Sequence, residues 1–85
     1  METVTLTYPL KLADGVQNTI TMRRPELGDL LDCPVKDGAD MQGEAALLAR
    51  LCNMNMEDFR KLDVADYLQV QACYLRFRIG KDDKN

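Results

Sequence analysis

The chain predicts an α+β fold: an N-terminal β-hairpin packed against three to four α-helices in a single small domain. Three patterns carry that prediction. Residues 4 to 12 alternate apolar and polar ahead of an Asp-Gly pair, and residues 43 to 54 repeat leucine at helical spacing. From Val64 onward, a capped stretch holds apolar residues every three or four positions. With 85 residues there is room for one core only, because a domain of this size buries just ~60% of its unfolded surface.

In "VTLTYPLKL", Val4, Leu6, Tyr8, Leu10 and Leu12 share one parity, the period of a half-buried strand. Pro9 offers no ladder N–H, so this strand should lie at an edge or carry a bulge. A second strand, "VQNTITMR", places Val16, Ile20 and Met22 in the same way. A two-residue Asp14-Gly15 loop would pair Leu10 with Thr19 and mix the faces. A three-residue loop, Ala13-Asp14-Gly15, pairs Leu12 with Val16, Tyr8 with Ile20 and Leu6 with Met22, so the longer loop is expected.

"MRRPELGDLL" follows. Pro25 suits a first helical turn and Glu26 puts negative charge at the positive end of a helix. A short helix through Leu27, Leu30 and Leu31 should stop before Pro34. Arg23 and Arg24 then leave the strand for solvent or for the acids beyond. An anion site formed by the two arginines is the lesser alternative. "PVKDGADMQ" reads as an irregular acidic loop. "GEAALLARLCNM" is the clearest helix, with Leu47, Leu51 and Met54 at i, i+4 and i+7 and with Leu48 and Cys52 beside them. Asn55 can end it and cap the short turn "MEDFRKL". Asp63 is the expected N-cap of a last helix from Val64 to about Ile79. Residues 1–79 form the expected domain, and 80–85, Gly-Lys-Asp-Asp-Lys-Asn, read as a flexible charged tail.

The last helix carries two apolar stripes, about 140° apart at 100° per residue. Val64, Leu68, Ala72, Leu75 and Ile79 form one; Tyr67, Val70, Tyr74 and Phe77 form the other. One stripe is needed for the core, so two imply two neighbours.

Several kinds of chemistry are missing. With no histidine, the commonest general base and metal ligand are gone. No phosphate-binding glycine loop or nucleophile elbow occurs. Glu57-Asp58 and Asp82-Asp83 read as surface charge rather than a catalytic dyad. "CPVKDGADMQGE" fits an EF-hand at Asp37, Gly38 and Glu44 but offers Cys33 and Val35 where oxygen ligands are needed. No catalytic residue, metal or cofactor is therefore expected. The three cysteines are far apart and lack CxxC spacing, as in a reducing compartment. Cys52 should fill a core gap. A net charge of -3 opposes nucleic-acid binding. The alternating N-terminus suits neither a signal peptide nor a membrane span.

The order of these segments resembles a known family. The hairpin with its "DG" turn runs into "TMRRPELGDL", whose carrying residues are Arg23, Arg24, Pro25, Gly28, Asp29 and Leu30. "Leu-Cys-Asn-Met" then closes a helix, and Leu62-Asp63 with Asp66-Tyr67 leads into the last one. Over residues 4 to about 75 the chain is similar to the small tail assembly chaperones of long-tailed bacteriophages, in the Mu-like group. The resemblance implies a non-enzymatic role. Such proteins bind the long helical tape-measure protein and keep it soluble until tail-tube subunits polymerise around it. They act in the host bacterial cytoplasm and are not expected in the mature virion. A small phage structural or regulatory protein, such as a head-tail connector or a repressor-like factor, is the alternative.

The expected partner-binding residues are Tyr67, Val70, Tyr74 and Phe77, flanked by Arg76 and Arg78. Aromatic side chains recur at interfaces because they bring large apolar area with, for tyrosine, a polar edge. This stripe would dock a tape-measure helix or a second copy of the chain. Were it covered by the hairpin instead, the acidic loop would be the next place to look.

Overall fold

A computed structural model describes residues 1–80. The chain order is β1 (Glu2–Leu12), β2 (Gly15–Met22), α1 (Leu27–Asp32), α2 (Met41–Leu51), α3 (Met56–Phe59) and α4 (Val64–Ile79). The two antiparallel strands form one layer and the helices the other, with α4 lying against both strands and α2 against α1, α3 and α4. The α+β expectation holds. Of the stretch read as a tail, Gly80 is the left-handed cap of α4 (φ 67°); residues 81–85 lie outside the described residues.

The hairpin register differs from the expected one. Leu12 pairs with Gly15 across a two-residue turn, and the far end pairs Glu2 with Met22 and Val4 with Ile20. Between the Thr5–Thr19 and Leu10–Gln17 pairs, β1 runs through residues 6 to 9 while β2 runs through Asn18 alone. Of the two alternatives that Pro9 left open, both are met: β1 is an edge of a two-stranded sheet and carries a bulge there, a large one. It buries Leu6 and Leu10 but turns Tyr8 out, leaving that ring 56% exposed. Val16 is also exposed, so neither Tyr8–Ile20 nor Leu12–Val16 forms.

The bulge is held from far away in sequence. Asp66, only 1% exposed, accepts the N–H groups of both Thr7 (2.8 Å) and Tyr8 (2.9 Å). Successive N–H groups in a regular strand point to opposite sides, so two of them can meet one carboxylate only where the ladder is broken. In the sequence Asp66 reads only as part of the entry to the last helix. Its position, however, repeats with Val70, Cys73 and Phe77 at i+4, i+7 and i+11, which places it on the buried face.

Capping residues fix most helix ends. Asp40 accepts from Gly43 N–H and so starts α2 two residues before the expected Gly43. The fit is tight: a Cβ on Gly43 would fall 2.3 Å from Asp40 Oδ2 and 3.0 Å from the Pro34 carbonyl. After Leu51 the chain reverses at Asn53, whose φ of 55° is a left-handed conformation that asparagine tolerates. Asn55 then caps α3 and Asp63 caps α4, each as expected. The core joins Leu6, Leu10, Ile20 and Met22 of the hairpin to Leu47, Leu48, Leu51 and Cys52 of the second helix region. Phe59, Val70, Cys73, Tyr74 and Phe77 complete it. Cys52 fills the core as expected, and burial pushes its thiol pKa up to about 12.

Candidate partner-binding groove

α4 settles which of its stripes faces inward. Val70, Tyr74 and Phe77 are buried against the hairpin and α2, and Tyr67 is half-buried, its ring edge-on to Phe59 at 6.1 Å. The stripe expected to stay open for a partner is thus closed. Burial of an aspartate and a cysteine on the same face, with the bulged strand supplying donors, gives this side its fit to the hairpin. The aliphatic stripe is the one left in solvent, with Val64 70%, Leu68 51%, Leu75 45% and Ile79 64% exposed.

The two arginines assigned to the stripe separate. Arg76 reaches back to the first residues of β1 and pairs with Glu2 at 2.6 Å. Arg78 stays on the other flank, its guanidinium 5.9 Å from the Tyr74 ring centroid. Beside Arg78 a groove of about 540 Å³ opens between α4, the start of α2 and the loop of residues 33–40. Its apolar lining comes from Leu30, Pro34, Val35, Met41 and the edge of Tyr74. Asp37, Asp40 and Glu44 supply three acids against the single charge of Arg78. Of the six residues expected to bind a partner, Tyr74 and Arg78 line this groove; the other four do not.

The acidic lip is built, not merely loose. Asp37 accepts Ala39 N–H at 2.8 Å, and Asp40 accepts Lys36 N–H at 3.0 Å while capping α2. These two contacts hold the Asp40 carboxyl pKa below its ordinary value. Glu44 accepts from the Tyr67 hydroxyl and from Gln71 Nε2 (2.8 Å), tying the start of α2 to α4. Burial, and then the Glu44 bond, raises the Tyr67 hydroxyl pKa above its usual range. Leu30, Val35 and Met41 were not singled out in the sequence as site residues. Their signal is weak, because the shape of the groove depends on side chain-to-backbone turns that leave no periodic pattern.

"MRRPELGDLL" is a joint, as expected. Arg23 N–H donates to the Leu51 carbonyl at the end of α2 (3.1 Å). Its guanidinium forks onto both oxygens of Asp29, at 2.7 and 2.6 Å. Asp29 is 3% exposed and also accepts from Glu26 N–H and Arg50 Nε, each at 2.8 Å. Arg50 extends the network to Asp32 at 2.9 Å. Arg24 lies over the Phe77 ring, 5.5 Å from its centroid. The pair of arginines therefore does not converge on an anion site. Three further leucines stay near the surface: Leu27, Leu30 and Leu31 of α1 are exposed, so this helix adds little to the core.

Among the described residues no group of three or more histidines, cysteines or acids could hold a metal ion. No helix among them is long and apolar enough to cross a membrane. Residues 3–78 match the family model described as "Phage tail assembly chaperone proteins, E, or 41 or 14". No curated protein and no solved structure matches the chain.

Proposed function

The chain belongs to the phage tail assembly chaperone family, and from that premise we propose that it binds the tape-measure protein and keeps it soluble until the tail tube assembles. Membership of a chaperone family implies a non-enzymatic role and interaction with tail proteins. The observation that carries the finer reading is the groove beside α4. Its floor is apolar, its lip is acidic, and both are held by capped elements rather than by a free loop. Such a groove suits one apolar face of a helix, as amphipathic helices dock elsewhere. The binding surface thereby moves from the closed aromatic stripe to the acidic loop and its neighbours. Leu30, Val35 and Met41 would grip the partner, with Tyr74 beneath and Arg78 at the side. The protein would act in the host cytoplasm and be left out of the mature virion, with tail-tube subunits taking over the tape-measure protein as they polymerise.

Co-expression with the tape-measure protein tests this. Wild type is expected to raise the soluble fraction of that partner. Val35→Asp with Met41→Glu is expected to abolish the gain while keeping the melting temperature within a few degrees, because both side chains are exposed. A wild-type chain that leaves the partner insoluble would sink the function; a double variant as effective as wild type would sink the groove.

A further inference from the structure

The exposed stripe of α4 points directly away from the hairpin. At about 100° per residue, Val64, Leu68, Leu75 and Ile79 fall within ~60° of one another. Their centre lies ~180° from that of Asp66, Val70, Cys73 and Phe77, all four of which are buried. Four large aliphatic side chains in line on an outward face form a surface that water covers poorly, and such a surface commonly marks an interface.

The spacing of these residues says what fits them. Leu68 and Leu75 stand three and a half positions either side of the midpoint between Gln71 and Ala72; Val64 and Ile79 stand seven and a half. A two-fold axis through that midpoint brings Leu68 of one copy onto Leu75 of the other, and Val64 onto Ile79. Self-complementarity of this kind is what a two-fold interface between identical chains requires. Ala72, at the centre, is small enough to let two helices approach closely.

Charge selects the same arrangement. Gln71 and Arg78, seven residues apart, share one flank of α4, and Glu44 is fixed to that flank through Gln71 and Tyr67. A dyad perpendicular to the helix sets like flank against like flank with the direction reversed. Arg78 of one copy then comes within about a helical turn of Glu44 of the other. A parallel pairing, with its dyad along the helix, would instead set the Arg78 flank of one copy beside the Arg76 flank of the other and align the two helix dipoles unfavourably.

We propose that α4 pairs antiparallel with α4 of a second copy of this chain, through Val64, Leu68, Leu75 and Ile79 about a dyad at Gln71-Ala72. The contact is one helix of 16 residues, about 24 Å long, and buries less than the ~1,200 Å² of a standard interface. Association is therefore weak, with dissociation on the order of micromolar or above.

Sedimentation velocity across ~10 to 500 µM, bracketing that weak range, tests the pairing in the full chain. Wild type is expected to move from monomer to dimer, and Leu68→Glu with Leu75→Glu to stay monomeric with unchanged circular dichroism. Leu68→Ala with Leu75→Ala, which adds no charge, is expected to raise the dissociation constant at least tenfold. Disulfide trapping in a Cys33→Ser background then reads the direction. Ala72→Cys is expected to cross-link to itself, and Leu68→Cys to link to a Leu75→Cys chain in preference to itself. A wild type that is monomeric throughout overturns the proposal, as does a dimer indifferent to both double variants. Self-linking of Leu68→Cys would overturn the antiparallel order. Loss of tape-measure protein by the glutamate variant, with a monomeric wild type, would assign the stripe to that partner instead.

Discussion

Asp66 is a carboxylate inside an apolar stripe, and it survives there because β1 turns two backbone donors onto it. The exchange works both ways. Without the carboxylate, the N–H groups of Thr7 and Tyr8 would be left without partners in a stretch where the ladder is already broken. The two hydrogen bonds are part-buried, and one to a charged acceptor contributes ~1.5–3 kcal/mol, so with water replacing part of the loss Asp66→Ala is expected to destabilise by about 2–4 kcal/mol. Asp66→Asn, which keeps one acceptor oxygen, should lose less. Denaturant melts of the two variants give the comparison, and equal losses would show that the charge rather than the acceptor geometry matters. Asp29 makes the same point through pH. Hydrogen bonds from Arg23, then Glu26 N–H and Arg50, hold its carboxyl well below the ordinary carboxylate range despite opposing burial. Unfolded, it titrates near ~4. The lowered folded pKa means this stabilisation is complete above about pH 5, starts to fade below ~4 and is lost as pH drops through the folded value. Asp29→Asn should therefore flatten the fall in melting temperature between about pH 5 and pH 2; curves that run parallel would remove Asp29 from the acid response.

At the scale of elements, what was legible follows what is local. α4 was read to its ends because Asp63 caps it and its apolar repeat runs out at Ile79, where a polar run begins; the structure adds Gly80 as its left-handed cap. The break at Pro9 was likewise visible from the missing donor. The extent of the bulge was not, because the carboxylate that holds Thr7 and Tyr8 within it is Asp66, nearly sixty residues on. Both stripes of α4 are apolar, so periodicity alone gave two candidate core faces. The inward one is distinguished by Asp66 and Cys73, residues that an apolarity count passes over. The consequence is measurable. Tyr74→Ala with Phe77→Ala, substitutions that would spare the fold if the stripe were an open surface, should now unfold it. Truncating a buried aromatic costs ~3–5 kcal/mol, against a total of ~5–15 for a small domain. Leu68→Ala with Leu75→Ala, on the outer face, should leave the melting temperature within a few degrees. If the second pair proves the costlier in circular-dichroism melts, the faces have been assigned backwards.

For the whole molecule, α4 is a partition. Its inner face seals the hairpin, one flank forms a wall of the groove through Gln71, Tyr74 and Arg78, and its outer face is free for self-pairing. The groove itself could not be read from the chain, since its lip is shaped by the Asp37 and Asp40 turns and its floor gathers residues from α1, the loop and α2. A partition of this kind lets the two proposed surfaces be uncoupled. Val35 and Met41 lie across the groove from α4, so placing charge there should leave the concentration dependence of self-association unchanged while holding of the tape-measure protein is lost. Leu68 and Leu75 lie on the far side of α4 from its packed face, so glutamates there should yield a monomer that still holds that partner. Glu44 belongs to both surfaces, as do Gln71 and Arg78: it is bonded to α4 and lines the groove. Glu44→Gln keeps an acceptor for Tyr67 and Gln71 but removes the charge facing Arg78 of the second copy. It is expected to weaken self-association severalfold, and the weakening should shrink as salt screens the pair. Sedimentation of wild type and Glu44→Gln at low and high ionic strength decides this: a loss independent of salt would mean that Glu44 acts by packing, and no loss would remove it from the self-association surface.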